Sequence, residues 1–189
     1  MKSLVFDTGP IISLTMNNLL WILNPLKQRL HGDFYITQAV QKELVERPLQ
    51  IKKFEFEAVQ VAKIIDDKIL EIFDGKMREN GRLLQMANEC YTCKDQTMRI
   101  IHPAEIDILT LAREFGSPAV IDERTLRLLL EDPEDLRTLL ERRLHSDVDI
   151  NKENVKRFRK EIGDVKIIRS AELVATAFAM GLFDELIPK

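Results

Sequence analysis

Only two cysteines, Cys90 and Cys93, occur in the 189 residues, in a Cys-Tyr-Thr-Cys pair. A structural zinc site needs four ligands, and no second pair exists. His102 is the nearest supplement, and it leaves the shell short. A redox pair belongs after a strand and at a helix start, which this context does not suggest. The pair is therefore read as structural thiols or a local disulfide. The chain also has no apolar run near the roughly 18 residues that a membrane span requires. Met1-Lys2-Ser3 leads straight into Leu4-Val5-Phe6-Asp7, and an acid so early breaks a signal-peptide core. The expected compartment is the cytoplasm, with no membrane partner.

An excess of positive charge is missing too: 28 Lys and Arg stand against 31 Asp and Glu, a net −3. A nucleic-acid binder usually carries a basic footprint. If four acids belong to a metal site, however, −3 + 4 leaves +1 for the remainder. Lys152, Lys156, Arg157, Arg159 and Lys160 also cluster within one short stretch. The plainer reading of that run is a solvated helix face. Internal repeats and low-complexity linkers are absent. A chain of this length makes one domain, 1–189, able to bury a core without disulfides.

What is present is an alternation of short apolar runs and helical stretches. Leu4-Val5-Phe6 reads as a buried parallel strand stopped by Asp-Thr-Gly-Pro. Ile11 to Leu23 continues as a helix, with Ile12, Leu19, Leu20 and Leu23 as core candidates. Phe34-Tyr35-Ile36 is a second strand, and Thr37 caps a helix running through Val40, Leu44 and Val45 to Pro48. From Phe54 to about Asn88 the pattern is helical without a convincing strand. There Val59, Ala62, Ile65, Ile69 and Ile72 trace an apolar stripe, and Asp74-Gly75 or Asn80-Gly81 could divide it. Pro103 opens a helix that ends at Gly116. Ala119-Val120-Ile121 and Val165-Lys166-Ile167-Ile168 are the third and fourth strands, separated by a charged helical region from Leu126 to about Gly163. A helix from Ala171 to Gly181 closes the chain. This order predicts an α/β fold, three layers α/β/α around a central parallel sheet, with helical elaborations at about 50–100 and 133–163.

Ligands of open parallel sheets bind beyond the carboxyl ends of the strands. Asp7 and Asp122 each follow an apolar strand. One such Asp could simply cap the next helix; two on separate strands are harder to dismiss. Glu43 lies in the helix after the second strand and shares a face with Val40 and Arg47; alone it reads as a surface glutamate. Asp107 interrupts an apolar helix face, where Asp has poor propensity. Glu105, at the third position of a helix capped by His102, has an ordinary capping role available.

At this point the sequence resembles the PIN-domain nucleases. Phe-Asp-Thr-Gly-Pro-Ile-Ile-Ser-Leu (6–14) looks like their opening strand end. Ile-Thr-Gln-Ala-Val-Gln-Lys-Glu-Leu (36–44) is similar to the segment carrying their second acid. Ala-Glu-Ile-Asp-Ile-Leu-Thr-Leu-Ala (104–112) is similar to the third-acid helix, its register favouring Asp107 with Glu105 as accessory. Val-Ile-Asp-Glu-Arg (120–124) resembles the fourth-acid strand end, and Ile-Ile-Arg-Ser-Ala-Glu-Leu-Val (167–174) the last strand and helix. The departures are the stretch between Pro48 and His102 and the charged segment between Asp132 and Gly163.

The resemblance implies a ribonuclease that uses Mg²⁺ or Mn²⁺, with RNA as substrate. It implies Asp7, Asp107 and Asp122 as metal ligands and Glu43 as a further catalytic acid. Thr8, Glu105 and Glu123 would be accessory, and Arg124, Arg127, Lys156, Arg157 and Lys160 would contact nucleic acid. The partners it brings into view are an antitoxin or an RNA-processing protein, and a second copy in a homodimer. A catalytically silent RNA-binding or assembly module is the alternative. Carboxylates are the hard donors that Mg²⁺ and Mn²⁺ prefer. A haloacid-dehalogenase-like phosphatase would need an Asp where Gly9 stands. A receiver domain would need an acidic pair and a lysine after the last strand, and Lys166 begins that strand instead.

Overall fold

The computed structural model describes residues 3–75 and 80–184. Its centre is a parallel five-stranded sheet in the order β3-β2-β1-β6-β8. β1 is Leu4–Phe6, β2 Phe34–Ile36, β3 Glu71–Ile72, β6 Ala119–Val120 and β8 Ile167–Ile168. β1 lies in the middle, with Val5 opposite both Tyr35 and Ala119. It is buried along its whole length, as a strand covered on both faces must be. Its Phe6 meets Phe34 of β2 ring to ring at 5.3 Å. The three-layer expectation is borne out.

Helices cover the sheet: α1 Thr8–Met16, α2 Leu23–Leu30, α3 Gln38–Gln41, α4 Glu55–Asp66, α5 Gly81–Asn88, α6 Pro103–Phe115, α7 Arg124–Glu131, α8 Pro133–Leu144, α9 Lys152–Ile162 and α10 Ser170–Ala179. α6 carries the richest buried face, including Ile106, Ile108, Leu109, Leu111 and Ala112. Burial of each large side chain contributes about 1.5–3 kcal/mol. It stops at Gly116, whose φ of 59° is left-handed and suits a residue without a Cβ. No helix among the described residues is long and apolar enough to cross a membrane.

Four expectations need correction. The predicted helix Ile11–Leu23 is broken at Asn17 and Asn18, after which a 3₁₀ turn, Leu20–Ile22, leads into α2. The stretch 54–88 is not all helix: β3 adds an edge strand within it, too short to show an alternating pattern. Part of that stretch, 76–79, lies outside the described residues. The inward face of α4 is Ala58, Val61 and Ile64, while Val59 and, on α1, Ile12 are exposed. Finally, a second sheet, absent from the sequence reading, joins β4 (Tyr91–Cys93), β5 (Gln96–Thr97) and β7 (Asp149–Ile150) in antiparallel pairing. Cys90 and Cys93 are free thiols there. Burial pushes the Cys90 thiol up to about 12, so it is inert near neutrality.

Candidate active site

The site begins with two neighbouring strands that end together. Phe6 and Val120 are register partners. Asp7 then donates its N–H to the Val120 carbonyl at 2.9 Å, and Ile121 donates to Ile168 at 2.9 Å. The chain leaves the sheet at both points, so Asp7 and Asp122 emerge side by side at the carboxyl edge. Gly9 sits between them. A Cβ built there would lie 3.5 Å from the Asp122 Cβ and 3.8 Å from Asp7 Oδ2. The missing side chain keeps a gap open between the two acids.

Neutral donors hold these acids. Ser13 Oγ donates to Asp122 Oδ2 at 2.9 Å, and the Ser170 N–H donates to Asp122 Oδ1 at 2.8 Å. Thr8 Oγ1 donates to Glu43 Oε2 at 2.9 Å. Glu43 reaches this position because the helix after β2 widens into a π-helical turn, Lys42–Glu46, a distortion frequent at functional sites. Among the described residues, none of Asp7, Glu43, Glu105, Asp122 and Glu123 forms an ion pair.

Glu105 belongs to the same electrostatic neighbourhood. It is buried, and its Oε2 accepts the His102 N–H at 2.6 Å, capping α6 as the sequence suggested. Desolvation pushes its carboxyl up to about 7, the His102 N–H opposes this, and the charges of Glu123, Asp7 and Glu43 add to it. Asp7 is raised chiefly by desolvation, eased by the Thr8 and Gly9 N–H groups and raised again by Glu43 and Asp122. Asp107, the expected third acid, takes a different direction. It receives a hydrogen bond from Asn80 Nδ2 at 3.1 Å. Glu105 and Asp107 stand two residues apart on α6, a spacing that gives their side chains different directions.

The remaining candidates scatter. Glu123 caps α7, accepting the Leu126 N–H at 2.8 Å. Arg124 is exposed at the start of α7, whereas Arg127 is half-buried near Glu172, its Nε without an acceptor. Lys156, Arg157 and Lys160 are exposed on α9, with Arg157 ion-paired to Glu153. That helix ends at Ile162–Gly163 beside the Gly116–Pro118 turn, at the amino edge of the sheet. Sequence reasoning missed Ser13, Ser170 and Arg169, the last an exposed cation that interacts electrostatically with Asp122. All three stand in the quoted motifs, and Arg169 and Ser170 directly follow β8, the same strand-end signal that exposed Asp7 and Asp122.

The donor set is all oxygen, which fits a hard divalent cation. Among the described residues, no three Asp, Glu, His or Cys side chains stand close enough to form a ready-made cage. Asp7 and Asp122 instead flank the gap left by Gly9.

A family model described as PIN domain matches residues 3–134, and the chain belongs to that family. PIN domains are generally nucleases and generally use a divalent metal. Comparison with curated proteins gives no match. Among solved structures, the chain is similar to the crystal structure of VapBC2 from Rickettsia felis bound to a DNA fragment from their promoter. The identity is 13% and the TM-score 0.43, over 88% of this chain and 98% of that one.

Proposed function

We propose that this protein is a divalent-cation-dependent ribonuclease acting at the carboxyl edge of the parallel sheet. The observation that supports this most is the convergence of Asp7, Asp122, Glu43 and Glu105, none of them in an ion pair among the described residues, with the exposed Arg169 acting on Asp122 from beyond ion-pair distance. An enzyme built for stability would neutralise such a group. An enzyme that must take up Mg²⁺ or Mn²⁺ leaves it open. RNA as the substrate follows from the family resemblance.

Asp7 and Asp122 would hold the cation, with Glu43 completing the donor set. When bound, it would polarise a phosphate oxygen and acidify water near the scissile bond. The protein's own groups do the rest. Ser13 and the Ser170 N–H fix both Asp122 oxygens, so that carboxylate cannot swing away. Thr8 does the same for one oxygen of Glu43. Glu105 has Oε2 committed to the cap, which leaves Oε1 to carry a proton near neutrality. Glu105 therefore replaces Asp107 as the third acid of this reading. Asp107 is a positioning group for the segment around Asn80.

The test is cleavage of labelled unstructured and structured RNA, with single-stranded DNA beside them, in Mg²⁺, Mn²⁺ and EDTA. Cation-dependent RNA cleavage that disappears in Asp122→Asn is the expected result. Tight RNA binding with no cleavage in any cation would instead make the protein a silent binding module.

A further inference from the structure

Two arginines act on one glutamate just beyond the end of β8. Glu172, on the first turn of α10, accepts the Arg169 N–H on Oε2 at 3.0 Å, which caps the helix. Its Oε1 then accepts from both Arg169 Nε at 3.1 Å and Arg169 Nη2 at 2.6 Å. That guanidinium edge, two parallel N–H groups, is built for two oxygens. Here both crowd onto one, because the cap has taken the other. Arg127 adds its charge to the same carboxylate from α7. It is half-buried, its Nε has no acceptor, and it forms no ion pair among the described residues. A partly buried cation without a close anion is costly.

The place matters as much as the charges. Ser170, next in the chain to Arg169, donates its N–H to Asp122 Oδ1 at 2.8 Å. Arg169 therefore stands one residue from a contact that fixes a proposed cation ligand. Its charge acts on Glu172, Glu131 and Asp122, yet its guanidinium stays beyond ion-pair distance of Asp122. That spacing leaves room at Asp122 for a cation and the phosphate being cut, and puts the guanidinium within reach of the next phosphate along the strand. The Arg169 side chain is exposed, and an exposed ion pair contributes little to stability. It can exchange one shared oxygen of Glu172 for a phosphate with two free oxygens at small cost.

We propose that Arg169, backed by the charge of Arg127, is the phosphate anchor of this site. It takes the two non-bridging oxygens of the RNA phosphate adjoining the one that is cut. Until that phosphate arrives, Glu172 holds the guanidinium in position as its stand-in. Which phosphate adjoins the cut rests on the nuclease reading; the grip itself needs no cleavage and no metal.

Binding of a short unstructured RNA in EDTA tests the grip apart from cleavage. Arg169→Gln should weaken it about ten-fold, the worth of one charge-assisted contact, and lower the salt slope by about 0.7. Glu172→Gln keeps an oxygen for the cap and removes the competing charge, so it should bind more tightly than wild type. A glutamate that only positioned Arg169 would give the opposite sign. Arg137→Gln, which breaks ion pairs on α8, should bind as wild type does. Replacing the RNA phosphates one at a time by uncharged methylphosphonates should expose one linkage that matters to wild type and not to Arg169→Gln. In Mg²⁺ that linkage should adjoin the cut, and Arg169→Gln should raise KM more than it lowers kcat. Wild-type affinity in Arg169→Gln, or a scan in which both proteins respond alike at every linkage, overturns the proposal. Weaker binding by Glu172→Gln overturns Glu172 as the stand-in. RNA gripped through Arg169 but never cut would sink the nuclease reading and leave the anchor standing.

Discussion

Two groups of carboxylates in this protein have opposite fates. On α8, Glu134 accepts from Lys152 at 2.9 Å and from Arg137 at 3.1 Å, and those cations hold its carboxyl below the usual range. At the carboxyl edge of the sheet, Asp7 and Glu105 are driven upward by burial first and then by the charges of neighbouring acids. The first arrangement is a solvated ion-pair network, which contributes little to stability per pair. The second leaves like charges facing each other, held by hydroxyl and amide donors and by no ion pair among the described residues. That is costly in isolation and useful only if something cationic arrives. Acid content alone does not separate the two; the neighbours do.

The largest expected effect falls on catalysis. Asp7→Asn and Asp122→Asn should each lower cation-dependent cleavage by more than about 100-fold, beyond the 10–100-fold typical of supporting residues around a metal. Glu134→Gln should leave it unchanged. An Asp122→Asn protein that still cleaves would erase the contrast between the regions.

Stability against pH comes next. The folded-state carboxyl of Glu105 lies above its unfolded value of 4.5, at about 7. Below pH 4.5 both states are protonated and the group is neutral to stability. Between 4.5 and 7 the unfolded chain ionises first, so stability falls as pH rises. The full loss is present above pH 7 and is on the order of 3 kcal/mol. In EDTA the Tm should therefore drop from pH 5 to pH 8, by roughly 2–4 °C for each kcal/mol. Glu105→Gln should flatten that slope and Asp107→Asn should not. Equal slopes in both variants would return Asp107 to the cluster.

Metal should reverse the same loss. Mg²⁺ or Mn²⁺ at 100 times its dissociation constant stabilises a folded state by about 2.7 kcal/mol. The midpoint at pH 8 should rise in wild type and much less in Asp7→Asn. An identical rise in both would reflect ionic strength alone.

The smallest effect is expected on α9. Replacing Lys156, Arg157 and Lys160 together should leave RNA affinity and its salt slope near wild type, because this helix runs toward the amino edge of the sheet. A slope reduced by about 0.7 per lost contact would make those cations phosphate ligands after all.

Much of the scaffold was legible in the sequence because its signals are local. Leu4–Phe6 and Phe34–Ile36 are apolar runs cut off by turn residues, and Pro103 and Gly116 bracket α6 by start and stop chemistry. β3, β5 and β7 have two residues each, too few to carry a period, and their pairing is decided by distant chain. At the site, strand-end position marked Asp7 and Asp122. The part proposed for Glu105 was hidden for a physical reason. A capping glutamate already has an explanation, so its second role shows only when the elements facing it are in place. The apolar positions Ile12 and Val59 misled in the opposite way. Their spacing announces a buried face, and it is exposed in the single chain.

The cap at the start of α6 has one more consequence. A carboxyl that titrates at about 7 is roughly half protonated in a neutral buffer. A divalent ion held by the neighbouring acids would lower that carboxyl's pKa through its charge and so expel the fractional proton. Uptake should then acidify an unbuffered solution. Its calorimetric heat should also vary with the ionisation enthalpy of the buffer, most near pH 7 and hardly at all at pH 9. Glu105 would in that case act as a proton counter for the site, reporting occupancy as a release of acid without binding the ion itself.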